Sequence, residues 1–428
     1  MSDFIPPVTA SHGAFPRWHP VWHGLWTRLV EAGLHEAAVC RWFGVPLVTD
    51  VRWIIGSMAT APARGLGAWI ALLVAGQSVS AQRLAAPPIS ATTAELAILV
   101  EAGLLSTEGD HLRARLGALP MRGLLLVSDR LDARDALGAP DLSALNTVWS
   151  LPRMLDGRRH LDVGCGAGVL ALASARAGAV VVGGDVDRRA LDAAAVNRAL
   201  SGIDDARCRF VEADVYDGLP SGPFDLITFN APLLRVEMAT ADAGASARYA
   251  SAPGAEALVL RFLDGVMERL SPDGEALLHA QHTPAVEMRL AALPARVSTV
   301  IFAHAPDGTP HALSVIRPSA TASQRRVRVP LSPACLHLSR AVIDAYLTPP
   351  SLAPDASLRP APWMELTISR QLGVDGPIRR KLGGVDLTAA EQALLERLDG
   401  RPLQDQSFSV DEMANLARFA DLGLLISS

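Results

Sequence analysis

Hydrophobic and polar positions follow two different patterns along the chain. Up to about residue 117 apolar residues recur at three- and four-residue spacing, as in LWTRLVEAGL and AELAILVEAGLL, which predicts amphipathic helices. From residue 160 onward short apolar segments alternate with helical stretches. These strand candidates are LDV, AVVVGGD, RCRFVEAD, FDLITFN, EALLHAQ, VSTVIFA and HALSVIRP. Helical stretches lie between the first five, whereas the last two predict a hairpin. The alternation predicts an α/β fold with a doubly wound, seven-stranded, mostly parallel sheet.

Both ends of the chain show the order helix, short apolar turn and strand. Near the N-terminal end AELAILVEAGLL leads into STEGDHLRARL, and SVDEMANLARFADLGLLIS has the same order near the C-terminal end. This order predicts small helical or winged-helix-like modules, and an ordinary helical cap on the next domain explains the first one equally well. The predicted domains are an N-terminal module (residues 1–120), an α/β core (121–318), a Pro-rich linker (319–362) and a C-terminal module (363–428).

Charge and composition narrow the classes of partner. The formal net charge of −5 arises within the core, which has 19 basic and 24 acidic residues, while both ends are balanced. An acidic core does not favour a nucleic-acid or anionic-membrane partner. The longest apolar run, residues 65–76, is too short to cross a bilayer and predicts a buried helix. The N-terminal sequence lacks the pattern of a secretory signal, and the four cysteines are scattered without metal-ligand spacing. We therefore expect a cytoplasmic protein without a metal site.

A glycine-rich loop after the first strand of the core is the strongest motif. In LDVGCGAGVLALA, residues 161–173, the glycines Gly164, Gly166 and Gly168 follow the spacing GxGxG. The dinucleotide fingerprint GxGxxG needs its third glycine where this chain has Val169, and a phosphate-binding P-loop needs a lysine that this loop lacks. The loop therefore predicts close backbone approach to a ligand other than a dinucleotide or a nucleoside triphosphate.

Three acidic residues lie at strand ends near this loop. Asp162 precedes the loop, Asp185 ends the second strand, and Asp214 ends the third. An acid in the position of Asp185 can accept hydrogen bonds from both hydroxyl groups of a ribose, and one in the position of Asp214 can accept from an exocyclic adenine amine. These groups fit an adenosine ligand whose tail carries a sulfonium cation rather than a phosphate.

The fourth strand ends in the motif NAPL, which comprises Asn230, Ala231, Pro232 and Leu233. It is similar to the (D/N)PP(Y/F) motif of methyltransferases that act on nitrogen, although Ala231 replaces the first proline and Leu233 the aromatic residue. With the loop and the acids included, residues 160–235 resemble the class I S-adenosylmethionine-dependent methyltransferases, in particular the methyltransferase small domain group. In that family the asparagine oxygen and the following carbonyl orient a planar NH2 group towards the methyl group, so catalysis is mainly positioning.

The resemblance implies S-adenosylmethionine as the cofactor and assigns roles to residues. Cofactor-binding residues are expected on the loop, at the strand ends and in the helix that precedes the first predicted strand. They are Asp162, Gly164, Cys165, Gly166, Gly168, Asp185, Val186, Asp214, Val215, Asn230 and Thr147. The expected catalytic residues are Asn230, Ala231 and Pro232, and the expected substrate-binding residues are Leu233, Tyr249 and His282. His282 is included because it follows the fifth strand at the edge where α/β proteins bind ligands.

These features predict a methyltransferase and leave three functions open. The first is methyl transfer to a nitrogen, or in second place an oxygen, of a small molecule or peptide in specialised metabolism. The second is methylation of ribosomal RNA or of a translation factor, held by the terminal modules. The third is a methyltransferase-like binding module without enzymatic activity. Because Leu233 removes the aromatic stacking face and the core is acidic, the first function is preferred. A nucleic-acid partner is not expected, and the oligomeric state is left open.

Overall fold

The computed structural model describes residues 20–45, 47–51, 64–130, 142–152, 154–232, 252–304, 310–328, 350–360, 381–382, 385–386, 388–421 and 425–427. These residues form two compact units. The first contains those within Met1–Val148 and Met154–Asn230, and the second those within Trp149–Arg153 and from Ala231 onward. The domain boundaries expected from the sequence remain a prediction. No helix in the described part of the chain combines the length and the apolar character that a membrane span requires.

The N-terminal part of the first unit is mainly helical. Its α-helices are α1 (Pro20–Glu31), α2 (Glu36–Phe43), α3 (Leu66–Trp69), α4 (Ala81–Leu84) and α5 (Thr93–Glu101), with a 3-10 turn at Val48–Asp50 and a π-helical turn at Ile70–Val74. Three short strands, β1 (Val79–Ser80), β2 (Leu105–Glu108) and β3 (His111–Ala114), form an antiparallel sheet in the order β1-β3-β2. The winged-helix-like interpretation of this module remains a prediction.

The apolar run at residues 65–76 is buried, as the sequence predicts. It forms α3 and the π-helical turn, in which Trp69 and Leu72 are fully buried. After the small sheet, β4 (Leu116–Met121) pairs antiparallel with β5 (Leu124–Asp129), and every residue of both strands is buried. This hairpin is therefore an interior element of the first unit.

The rest of the first unit is a parallel sheet with helices. After α6 (Leu142–Trp149) come β6 (Arg159–Val163), α7 (Val169–Arg176), β7 (Val180–Asp185), α8 (Arg188–Leu200), β8 (Cys208–Glu212) and β9 (Phe224–Asn230). The four strands are parallel, in the order β9-β6-β7-β8. Because the carboxyl ends of parallel strands meet at one edge of a sheet, the glycine loop and the strand-end acids share that edge.

One continuous core joins the N-terminal module to this sheet. It contains side chains from the N-terminal helices, such as Trp22 and Leu72, together with Ala193 and Val196 of α8. Ala167, which belongs to the glycine loop, is part of the same cluster. The N-terminal module is therefore packed into the α/β part of the first unit and shares its core.

Four strands and two helices form the α/β part of the second unit. Its elements are α9 (Ala252–Arg269), β10 (Leu270–Gln281), α10 (Pro284–Ala291), β11 (Ala295–His304), β12 (Pro310–Pro318) and β13 (Ser323–Arg328). The order is β10-β12-β11-β13; β12 is antiparallel to both neighbours, which confirms the predicted hairpin, and β13 is parallel to β11. The structure has one more strand here than the sequence predicts, β13, because the arginines of SQRRVR conceal its strand character. The predicted α/β class with a mostly parallel sheet is confirmed.

The C-terminal module, in the second unit, has a small core of its own. Its elements are β14 (Leu358–Pro360), β15 (Lys381–Leu382), β16 (Val385–Asp386), α11 (Ala389–Arg397), a 3-10 turn (Leu403–Asp405), α12 (Val410–Asp421) and β17 (Leu425–Ser427). β14 pairs antiparallel with β17, and β15 with β16. The buried core side chains are Leu358, Leu394, Leu395, Leu398, Leu403, Leu416, Phe419, Ala420 and Leu425.

Candidate active site

The predicted glycine loop joins β6 to α7 in the first unit. Gly164, Gly166 and Gly168 all have left-handed backbone conformations, with φ of 63°, 52° and 85°. Gly168 is the N-cap of α7, and a Cβ there would lie 3.0 Å from Phe210 Cζ and 3.2 Å from Ala194 Cβ, which leaves no room for another residue. A Cβ on Gly166 would meet no atom of the described residues within 4 Å. The loop therefore combines a tight turn with an open face.

Asp185 connects this loop to the end of β7. One of its carboxylate oxygens accepts a hydrogen bond from the backbone N–H of Gly166 at 2.8 Å, and the other accepts from that of Asp187 at 2.9 Å. The N–H of Cys165 donates to Gly184 O at 2.9 Å. Burial is the main cause that raises the pKa of the Asp185 carboxyl and of the Cys165 thiol, which stays protonated. The structure therefore brings Cys165, Gly166 and Asp185 together.

A buried chain of hydrogen bonds connects β6, β9 and α7. The hydroxyl group of Thr228 donates to Asp162 Oδ1 at 2.7 Å, and His160 Nε2 lies 2.8 Å from the same hydroxyl oxygen. The other oxygen of Asp162 accepts from the N–H of Ala171 in the first turn of α7 at 3.1 Å. Burial lowers the pKa of His160 to about 3, so its neutral ring donates to Thr228 in this arrangement. Burial raises the pKa of Asp162 to about 7. Asp162 thus anchors the start of α7.

An acid followed by a valine lies at the end of β7 and just after β8, which ends at Glu212 rather than at Asp214 as the sequence predicts. Asp185 precedes Val186, whose side chain is 62% exposed, and the exposed Asp214 precedes Val215, which is buried. Val215 has a φ of 55°, which costs a β-branched residue about 1–3 kcal/mol. Asp214 and Asp217 exchange two backbone hydrogen bonds of 3.0 Å, which close this turn. An exposed valine side chain can pack against a planar heterocycle, and the neighbouring carboxylate can accept hydrogen bonds from hydroxyl groups.

Asn230 lies at the end of β9, and α6 fixes its amide group. Its Nδ2 donates to Ser143 Oγ at 3.1 Å, while its Oδ1 is buried without a hydrogen-bond partner among the described residues. A buried unpaired acceptor costs about 1–3 kcal/mol, so such an atom marks a position that a ligand can complete. Thr147 is fully buried, and its hydroxyl group donates to Ser143 O at 2.8 Å. The sequence analysis misses Ser143, although its four-residue spacing from Thr147 places both on one helix face.

The remainder of the NAPL motif belongs to the second unit. Ala231 is buried, and its N–H donates to the carbonyl oxygen of His279 at 2.9 Å. Pro232 is partly exposed. Leu233 and Tyr249, two of the expected substrate-binding residues, lie outside the described residues. Their roles therefore stay predictions.

Two further buried polar groups lie at the end of β10. His282 is 7% exposed, and burial lowers its pKa to about 4, so its ring is neutral. Its Nε2 lies 3.8 Å from a carboxylate oxygen of Glu287 and has no hydrogen-bond partner in the described part of the chain. Nε2 of Gln281 is also buried and unpaired within the described residues. The sequence analysis misses Gln281 because it is the last residue of a strand and belongs to no motif.

The first unit fits the ligand that the sequence predicts, S-adenosylmethionine. The open face beside Gly166 leaves room at the loop, and the buried Oδ1 of Asn230 is an acceptor without a partner among the described residues. At the loop itself Asp185 supplies a carboxyl group rather than an arginine or lysine side chain, which suits a positively charged sulfonium better than a phosphate. No three His, Cys, Asp or Glu side chains of the described ranges are grouped to hold a metal ion.

A GxGxG loop after the first strand of a doubly wound sheet, an acid ending the second strand and an asparagine ending the fourth define a class I S-adenosylmethionine-dependent methyltransferase domain. Residues 145–301 match the model of the family described as "Methyltransferase small domain". This part of the chain is similar to that family. The match confirms the resemblance and supports the enzyme class and the cofactor that the sequence predicts.

Two characterised relatives align with parts of the chain. One, 36% identical over 118 residues, is a "Ribosomal protein L11 methyltransferase" from Thermus thermophilus; the match covers 27% of this chain and 41% of the relative. Another, 39% identical over 130 residues, is a "Release factor glutamine methyltransferase" from Deinococcus radiodurans, with 29% and 44% covered. The chain thus spans less than half the length of these relatives. A solved ribosomal protein L11 methylase from Lactobacillus delbrueckii subsp. bulgaricus aligns with 42% of this chain and 78% of its own, at 21% identity and a TM-score of 0.30.

These relatives correct the prediction about the partner. The sequence analysis expects a small-molecule or peptide substrate and no nucleic acid, whereas the relatives are named for a ribosomal protein and a release factor. The prediction is wrong because it depends on the charge of the core and on the missing aromatic ring at Leu233. Neither property describes a large acceptor, whose contacts extend beyond the reacting atom.

Proposed function

We propose that the chain is an S-adenosylmethionine-dependent methyltransferase that methylates a nitrogen atom in a protein of the translation machinery. The observation that carries the reaction type is the geometry of Asn230, whose Nδ2 is held by Ser143 while its buried Oδ1 is unpaired among the described residues. The acceptor class is supported by the relatives named for a ribosomal protein and a release factor.

On the cofactor side, the glycine loop and Asp185 are the proposed main binding groups. Asp185 already accepts two backbone hydrogen bonds, but each carboxylate oxygen has a second lone pair, so it can also accept from ribose hydroxyl groups. Val186 and Asp214, at the ends of the neighbouring strands, are proposed to contact the adenine ring. When bound, S-adenosylmethionine supplies a methyl group on a positively charged sulfur.

On the acceptor side, Asn230 is proposed to accept a hydrogen bond from the N–H of the nitrogen to be methylated. This bond fixes the direction of the nitrogen lone pair. Asn230 would hold this nitrogen towards the methyl group that bound S-adenosylmethionine would supply, and the nitrogen would lose one proton to water on transfer. Positioning of this kind is sufficient for a large rate increase because it replaces a random encounter by a fixed approach. Ser143 contributes by preventing rotation of the Asn230 amide.

The acceptor class is tested with tritium-labelled S-adenosylmethionine and separated cell fractions. The purified protein is incubated with ribosomal proteins, release factors, total RNA and a small-molecule extract, and labelled peptides are mapped by mass spectrometry. We expect label on a nitrogen of a ribosomal protein or a release factor. Label confined to RNA or to small molecules overturns the proposed acceptor. Cofactor binding without label in any fraction overturns the proposed activity.

The role of Asn230 is tested with three variants in the same assay. Asn230→Ala should lower turnover about a hundredfold, the loss expected for one transition-state hydrogen bond, and leave the cofactor affinity nearly unchanged. Asn230→Asp keeps an acceptor oxygen and should retain more activity. Ser143→Ala is the matched control, because it removes the hydrogen bond that holds Nδ2 and keeps Oδ1, and it should cost about threefold to tenfold. Equal losses of affinity and turnover in Asn230→Ala would place Asn230 in the cofactor pocket instead.

A further inference from the structure

Asn197 connects three elements of the first unit through its side chain. It lies on α8 and is fully buried. Its Oδ1 accepts a hydrogen bond from the N–H of Val127 at 2.7 Å, and its Nδ2 donates to the carbonyl oxygen of Val127 at 2.9 Å. The amide group thus pairs with both backbone groups of one residue of β5, as a neighbouring strand would.

The same amide nitrogen also reaches the glycine loop. Nδ2 of Asn197 donates to the carbonyl oxygen of Ala167 at 3.0 Å, and Ala167 lies between Gly166 and Gly168. Hydrogen bonds of Cys165 to Gly184 and of Gly166 to Asp185 connect the loop to β7. Asn197 adds a hydrogen bond that connects the loop to α8. Glycines lose the most conformational freedom on ordering, so each fixed point in this loop contributes to its preorganisation.

Asparagine is well suited to this position by its hydrogen-bonding groups. The amide has two N–H donors, which serve the carbonyl oxygens of Val127 and Ala167, and an oxygen acceptor, which serves the N–H of Val127. Aspartate lacks the donors, and glutamine places the amide one methylene farther from the helix. A small side chain leaves three buried backbone groups without this partner.

We propose that Asn197 is a positioning residue for cofactor binding, which sets the glycine loop against the β4–β5 hairpin through the carbonyl group of Ala167. The proposal rests on the proposed use of the loop for S-adenosylmethionine. A residue with a purely structural role would lower the stability of the fold and leave the cofactor affinity of the folded protein unchanged. A positioning residue changes that affinity as well.

The chain offers a matched control in the ion pair of Asp129 and Arg189. Asp129 is buried on β5, and its carboxylate forms a bidentate ion pair with Arg189 in the first turn of α8. This pair joins the same two elements as Asn197 through a carboxylate–guanidinium contact, which is separate from the bond of Asn197 to Ala167. Asp129→Asn therefore weakens the attachment of β5 to α8 without removing the contact to Ala167.

The test compares the affinity for S-adenosylhomocysteine by calorimetry in full-length wild type, Asn197→Ser and Asp129→Asn, at a temperature where all three are folded. Both variants should melt at lower temperature. Asn197→Ser should bind the ligand about 5- to 30-fold more weakly, the loss expected for one or two hydrogen bonds that preorganise a site. Asp129→Asn should bind within about twofold of wild type. Wild-type affinity in Asn197→Ser, or equal weakening in both variants, would overturn the proposal.

A measurement on the wild-type protein covers the case in which Asn197→Ser does not fold. Coupling between sites is reciprocal, so ligand binding at the loop should slow hydrogen exchange of the Val127 amide, which donates to Asn197. The amide of Arg122, which donates to Glu36 at the other end of the hairpin, is the reference and should change less. Equal protection of both amides, or none, contradicts the proposal. Absence of any ligand binding to wild type would instead contradict the proposed function itself.

Discussion

The two terminal modules contain the same helix-capping arrangement, but their helices pack against different cores. In each, a helix begins at a threonine whose hydroxyl oxygen accepts from the N–H of a glutamate three residues later, and the glutamate carboxylate accepts from the N–H of the threonine. In each, the same glutamate forms an ion pair with an arginine of another helix. These residues are Thr92, Glu95 and Arg28 in the N-terminal module and Thr388, Glu391 and Arg418 in the C-terminal module.

The cores beneath these similar helices are different. The N-terminal cluster continues into α8 and includes Ala167 of the glycine loop. The C-terminal cluster is confined to residues between Leu358 and Leu425, and Arg325 of β13 donates a hydrogen bond to the carbonyl oxygen of Ala420 at 3.2 Å. A capping signal in the sequence therefore predicts a helix but does not predict whether its module folds with the catalytic domain. We expect the N-terminal module to unfold together with the cofactor loop and the C-terminal module to unfold separately.

Trp69→Ala has the largest expected effect on this difference. Trp69 is fully buried in the N-terminal cluster, and truncation of a buried aromatic residue costs about 3–5 kcal/mol. The variant should lower the thermal transition that S-adenosylhomocysteine raises in wild type, because the ligand stabilises the unit whose core is damaged. Calorimetric scans with and without the ligand measure this. A lowered transition that does not respond to the ligand would separate the N-terminal module from the cofactor site.

Phe419→Ala is the corresponding change in the C-terminal core. Phe419 is fully buried, so the module itself should lose about 3–5 kcal/mol, but ligand affinity should stay within about twofold of wild type. The transition that this variant lowers should be insensitive to S-adenosylhomocysteine. If the variant binds the ligand much more weakly, the C-terminal core is coupled to the cofactor site and the two modules differ less than their cores indicate.

The stability of the first unit and the stability of the C-terminal module should also change with pH in opposite directions. Burial raises the pKa of Asp162 to about 7, so the folded state binds its proton more tightly than the unfolded state. The stability of wild type relative to Asp162→Asn should therefore fall as the pH rises from about 4 to about 7. Urea denaturation of both proteins across this range measures the difference, and a difference that is constant or increases with pH contradicts the assignment.

Glu391 supplies the opposite case in the C-terminal module. The backbone hydrogen bond from Thr388 is the first cause that lowers its pKa, and Arg418 acts in the same direction. The stabilisation it gives is present above the ordinary pKa of a glutamate and is lost as the pH falls below it. The C-terminal module of wild type should thus be more stable than that of Glu391→Gln at neutral pH, and this difference should disappear in acid. Denaturation of the C-terminal module at both pH values measures the difference. A stability difference that grows in acid would show that neither the ion pair nor the helix cap causes it.

The smallest expected effects come from the two helix caps. Thr92→Ala and Thr388→Ala each remove a side-chain acceptor from a helix N-terminus, which costs about 1 kcal/mol. We expect losses of similar size, with only the first acting on the ligand-sensitive transition. Thermal scans of both variants, with Ser351→Ala as a control at an exposed serine outside either cap, check this. Losses of stability that differ by several kcal/mol would show that the two helix caps are not equivalent.

The sequence predicts the positions of the glycine loop and its neighbouring acids better than the residues that support them. The loop and the acids Asp185 and Asp214 follow from a local succession of strand, turn and helix, so their placement at one sheet edge could be predicted. Ser143, Thr228 and Asn197 could not, because each acts through hydrogen bonds to residues that are distant in sequence. A buried polar side chain on a helix or a strand has no motif, and only the folded chain shows its partners.

The sequence does not predict strand β13 for a different reason. Its sequence SQRRVR lacks the apolar alternation by which the other strands are recognised. In the structure Arg326 pairs with Glu287 of α10, and Arg325 donates to Ala420. The partners of these charges come from distant parts of the chain, so composition alone assigns them to solvent.

The position of β13 has a consequence for the behaviour of the protein in concentrated solution. It is the last strand of the central sheet, and the outer edge of a sheet is a template to which strands of other molecules can add. Natural proteins discourage such addition with charged side chains on the edge strand, and β13 contains arginines at positions 325, 326 and 328. The charges at Arg325 and Arg326 should therefore disfavour the addition of strands from other molecules in concentrated solution.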